Sequence, residues 1–83
     1  MLDASELNRL KWRARRGLLE NDLVMSRYFA QFENALTAQD AQGLSTLLEL
    51  SDNELMDLIL QRSELAPDTA PETARVLQAL RAV

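Results

Sequence analysis

Apolar residues recur along this chain at intervals of three and four, and no stretch alternates with the two-residue period of a half-buried strand. Leu7, Leu10 and Ala14 mark one face of a first helix, which Asp3 and Glu6 open with the spacing of a capping box. A glycine just past a basic turn is a helix stop, and Gly17 holds that position. The spacing predicts a second helix from Leu18 or Leu19 to about Leu36, striped by Met25, Tyr28, Phe29, Phe32 and Leu36. Three of the chain's four aromatics lie on that stripe, so it is the expected centre of the core.

Thr37, with Asp40 three residues on, caps a third helix whose inner face is Ala41, Leu44, Leu47 and Leu48. Gly43 inside it costs about 1 kcal/mol relative to alanine and suits a close helix contact. Ser51 and Glu54 form a capping box for a fourth helix carrying Leu55, Leu58 and Ile59. The pattern breaks from Ser63 to Ala70, where Pro67 is the clearest punctuation. A last box is read at Thr69 and Glu72, with Pro71 in the first turn and Val76, Leu77 and Leu80 as the final stripe. Five helices on short connections predict a compact all-α five-helix bundle, with residues 1–83 as one helical domain.

Composition narrows the chemistry. The 83 residues are 47% hydrophobic and 27% charged, too apolar for a disordered chain and too often interrupted by charge for a membrane span. Residues 1–16 hold Asp3, Glu6 and five cations but no apolar block that could act as a signal peptide, so a cytoplasmic protein is expected. With no cysteine and no histidine, disulfides, structural zinc sites, thiol nucleophiles and histidine-based acid–base triads are excluded. Two glycines cannot write a P-loop or a dinucleotide fingerprint. The chain reads as a binding module and not as an enzyme.

Charge is uneven: residues 1–30 carry +2 and residues 31–83 carry −6. Five cations fall between Arg9 and Arg16 around Trp12, a combination able to grip phosphate and stack a base. The net charge of −4 argues against that, because dedicated nucleic-acid domains are basic overall. Glu20, four residues after Arg16, has the spacing of a local ion pair or of a helix N-terminal acid. Glu49, Asp52, Glu54 and Asp57 lack calcium-loop spacing, and Asp52 and Glu54 lie where capping uses them, so no metal is expected.

Read continuously, residues 12–22 resemble the signature of the small FAD assembly factors of succinate dehydrogenase. The family's hallmark is Arg-Gly-x-x-Glu after a Trp-x-x-x-Arg lead, matched here by Trp12, Arg16, Gly17 and Glu20. Asp22, Met25, Tyr28 and Phe29 are similar to the family's next helix, and residues 47–55 to its Leu-Leu-Glu-x-x-Asp-x-x-Leu block. Together these cover roughly residues 7–60. Three positions depart from the pattern: Asn21 where many relatives have leucine, Leu58 where many have tryptophan, and Ala14 where some have cysteine.

The resemblance implies a chaperone that binds the flavoprotein subunit of succinate dehydrogenase, and also that of fumarate reductase. It would promote covalent attachment of FAD to a histidine of that subunit. Arg16, Gly17 and Glu20, with Arg15, Trp12 and Asp22, are then the expected partner-binding residues. A histidine-free chain cannot supply the flavin-linked residue, so FAD is expected to be held by the partner and not by this chain. Gly17 would allow close backbone approach, and Arg16 offers a planar fork for carboxylates or carbonyls. No membrane insertion is expected, and the free chain should be a monomer. The alternative reading is an antitoxin-type regulator using the same helical surface.

Overall fold

The computed structural model describes residues 2–15 and 19–83, with Leu19 as backbone only. They form α1 (Ala4–Arg13), α2 (Leu19–Phe32), a 3₁₀ turn (Glu33–Ala35), α3 (Ala38–Leu48), α4 (Asp52–Ile59) and α5 (Pro71–Ala82), with no strand among them. The all-α, five-helix expectation holds. The radius of gyration is 11.8 Å, the value expected of a compact chain this long.

Local chemistry sets most helix starts. The Asp3 carboxylate accepts the Glu6 N–H at 2.8 Å, fixing the first turn of α1. Reciprocal capping boxes open α3, through Thr37 and Asp40, and α4, through Ser51 and Glu54. At α4 the Ser51 backbone and side-chain donors hold the exposed Glu54 carboxyl below the ordinary carboxylate range.

Three boundaries differ from the sequence reading. Regular α1 ends at Arg13 with Ala14 as its C-cap, so the helix stops before Gly17, which itself lies outside the described residues. α2 ends at Phe32, and the 3₁₀ turn then carries the chain to Leu36, whose backbone is extended although its side chain is buried. Phe32 is only half-buried in consequence. The box at Thr69 and Glu72 does not form: Ala70 is the N-cap of α5 and no side chain caps it. Pro71 explains this, because the residue before a proline is driven to extended backbone and becomes the cap, leaving Thr69 one position too early.

One helix end needs a left-handed residue. Gln61, just beyond α4, has φ 63°. Its N–H bonds to the Leu58 carbonyl at 3.1 Å, and the Arg62 N–H reaches the Asp57 carbonyl at 2.8 Å, the pairing of a Schellman cap. Arg81 of α5 reinforces this end by donating from Nε to the Leu58 carbonyl at 2.8 Å.

The core joins Leu10 and Ala14 of the α1 end, Met25, Tyr28 and Phe29 of α2, Leu36, Leu44, Leu47 and Leu48 of α3, Leu55, Leu58 and Ile59 of α4, and Val76, Leu77 and Leu80 of α5. Leu58 is thus a core residue despite departing from the family pattern. The most extensive helix contact is α3 against α5, and Gly43 makes it possible. A Cβ built on Gly43 would lie 2.5 Å from the Glu72 carbonyl oxygen and 3.0 Å from the Thr73 nitrogen, both backbone atoms of the first turns of α5.

Tyr28 is buried, and desolvation, with the Asp40 carboxylate adding to it, pushes its phenol up to about 12. The folded state therefore favours the protonated phenol. That stabilisation is complete below the unfolded value near 10 and is lost as pH rises from there to about 12, at most roughly 2–3 kcal/mol. This is the chain's only tyrosine, so tyrosinate absorbance reports it alone. The native titration should have its midpoint about two pH units above that in denaturant; coincident midpoints would contradict the burial.

Candidate functional site

Residues two apart on an α-helix are about 200° apart around its axis, so alternating cations cannot share one face. The basic strip read from Arg9 to Arg16 is accordingly divided. Arg13 turns to α3, donating to the Ser45 hydroxyl at 3.0 Å. Lys11 and Arg15, four residues apart, share the other side. Lys11 Nζ pairs with the Glu33 carboxylate at 2.9 Å and lies 6.0 Å from the centre of the Phe29 ring. The Arg15 guanidinium carbon is 5.1 Å from the Trp12 ring centre, a cation–π contact.

Lys11, Trp12 and Arg15, but not Arg13, border a groove of about 700 Å³ between α1 and α2. The α2 wall follows helical spacing, with Asp22, Met25, Ser26, Phe29 and Ala30 on one stripe that Glu33 of the 3₁₀ turn continues. Met25 and Phe29 are buried and form its floor, while Asn8, Lys11, Trp12 and Arg15 supply the α1 side. The Lys11–Glu33 pair closes one end. Trp12 is 70% exposed, a large apolar area left in water on a chain that buries most of its others.

Of the six expected partner-binding residues, Trp12, Arg15 and Asp22 line the groove. Glu20 is exposed on the first turn of α2 but does not line it; there it complements the helix dipole together with Asp22. Arg16 and Gly17 lie outside the described residues, and so does any Arg16–Glu20 ion pair. The sequence reading placed Met25 and Phe29 in the core but missed that the same side chains floor a groove. The stripe from Asp22 to Glu33 at three- and four-residue spacing was the available signal.

Asn21, next to Glu20, is fully buried, and its Nδ2 donates to the Asp52 carbonyl at 3.0 Å. The bond ties the first turn of α2 to the start of α4, bringing the two family-like blocks together. Among the described residues its Oδ1 is buried without a hydrogen-bond partner, which costs roughly 1–3 kcal/mol. Asn21→Leu removes that orphan with little change in volume and should raise stability by about 1 kcal/mol in urea unfolding. A loss of that size would mean that the Asp52 bond outweighs the orphaned acceptor.

Among the described residues no helix is long and apolar enough to cross a membrane, and no three acidic side chains gather as a metal site would require. By fold and surface the chain is a small all-α module with a large solvent-open groove beside an exposed indole. The model of a family described as the flavinator of succinate dehydrogenase matches residues 8–83. The FAD assembly factor SdhE of Ralstonia nicotianae is 51% identical over 78 residues, covering 90% of this chain and 80% of that protein. The SdhE of Pseudomonas aeruginosa is 32% identical over the full chain and 92% of its own length. That of Aliivibrio fischeri is 37% identical over 60 residues, 72% of this chain and 70% of its own. No solved structure matches with comparable significance. The chain belongs to the succinate dehydrogenase flavinator family.

Proposed function

We propose that this chain is a non-catalytic assembly factor that binds the flavoprotein subunit of succinate dehydrogenase and promotes covalent attachment of FAD to it. The family match across residues 8–83 carries the reading. The absence of histidine supports it: the residue bonded to the flavin belongs to the partner, and this chain acts by holding the flavoprotein while the bond forms. With two glycines and no glycine-rich turn, it has no evident cradle for the dinucleotide, and free FAD should not remain with the purified protein after dialysis. The fumarate reductase flavoprotein is a second partner of the same chemistry. The free chain is a cytoplasmic monomer in this account. Nothing in the family match or in the relatives' names favours the antitoxin alternative.

The working face comprises Arg16, Gly17 and Glu20, flanked by Trp12, Arg15 and Asp22. Glu20→Ala removes an exposed carboxylate, so stability should change by no more than about 0.5 kcal/mol. Covalent flavin on the partner should nevertheless fall markedly. Flavin fluorescence of the denatured flavoprotein subunit in gels tests both levels: cells lacking this chain should show little signal, the wild-type gene should restore it, and Glu20→Ala and Gly17→Arg should not. Full restoration by both variants at normal expression would remove the Arg16–Glu20 segment from the working face.

A further inference from the structure

We infer that the α1–α2 groove seats a segment of the flavoprotein subunit in which a large apolar side chain stands next to a carboxylate. The inference rests on the function proposed above and adds the chemistry of the contact. The groove has an apolar floor, Met25 and Phe29, and an indole lip, Trp12, so its natural occupant is an apolar side chain of matching bulk. Its rim charges select the neighbour of that side chain. Lys11 is neutralised by Glu33, and Asp22 is also engaged within the chain. Arg15 lies over the Trp12 ring but pairs with no carboxylate among the described residues. Its guanidinium fork therefore remains open beside the groove, on a chain whose net charge is −4. The Trp12 ring holds that guanidinium at the lip of the groove, and a guanidinium fork can take a carboxylate in bidentate fashion.

The test fills the groove without disturbing the core. Ser26 and Ala30 are exposed positions on the groove wall, whereas Gln31 is exposed on α2 but does not line it. Binding of the purified flavoprotein subunit is measured for the wild type, Ala30→Trp, Arg15→Glu and Gln31→Trp, with helical spectra and melting recorded for each. Affinity should fall at least tenfold for Ala30→Trp and for Arg15→Glu, and stay within about twofold for Gln31→Trp, with all three variants folded. Wild-type affinity in Ala30→Trp, or an equal fall in Gln31→Trp, would overturn the groove assignment while leaving the proposed function standing. An unchanged Arg15→Glu would overturn the carboxylate. Failure of the wild type to bind the subunit at all would overturn the functional reading and the groove with it.

Discussion

Phe29→Ala is expected to lower stability by about 3–5 kcal/mol. Phe29 is buried in the last turn of α2, meets the Tyr28 ring edge-on at 5.6 Å and lies beneath Lys11. Truncation loses the transfer energy of a benzyl group and leaves a cavity that opens towards the groove, where water can enter. A domain of this length has only about 4–12 kcal/mol in total, so a large part of the stability goes. The urea midpoint should drop steeply with the slope nearly unchanged, and the variant should be partly unfolded near its working temperature. An unmoved midpoint would place Phe29 outside the core.

Gly43→Ala should be the second largest effect, and its sign is the informative part. In an isolated helix the change stabilises by about 1 kcal/mol. Here the new methyl would fall 2.5 Å from the Glu72 carbonyl oxygen, and that atom is backbone in the first turn of α5, which no rotamer change can move aside. α5 must shift away from α3, and overpacking of this kind costs about 1–3 kcal/mol net. Thermal unfolding should move down by roughly 4–24 °C for a domain of this size. A rise in the melting temperature would mean that α3 and α5 do not approach at this point.

Helix starts were legible where capping is a three-residue affair. Thr37 with Asp40, and Ser51 with Glu54, need no tertiary information to be recognised. The Thr69–Glu72 reading followed the same rule and failed because the backbone restriction imposed by Pro71 outranks side-chain preference. The end of α2 was misplaced because Phe29, Phe32 and Leu36 satisfy helical spacing whether or not the last turn tightens to 3₁₀ geometry. Gln61 gave no warning of its left-handed backbone, since glycine or asparagine is the usual signal there.

At the candidate site, Trp12 was legible as an expected contact residue, but the division of the cations was not. It depends on which neighbour each helix face meets: α3 for Arg13, the turn after α2 for Lys11, and Trp12 itself for Arg15. Asn21 and Arg81 were hidden for a related reason. A polar side chain reads as surface until a carbonyl from another helix is found beside it, as Asp52 and Leu58 supply here. The hallmark segment was recognised as a pattern of residue types, and no rule of periodicity or capping would have singled out Arg16, Gly17 and Glu20.

As proposed, this chain promotes covalent flavin attachment in a partner without holding the flavin itself. The most direct measurement mixes purified, flavin-free flavoprotein subunit with FAD, with and without the purified chain, and follows acid-stable flavin on the subunit over time. The chain should markedly speed incorporation, all bound flavin should be found on the partner, and Glu20→Ala should remove most of the gain. Equal incorporation with and without the chain, or flavin bonded to the chain itself, would contradict it.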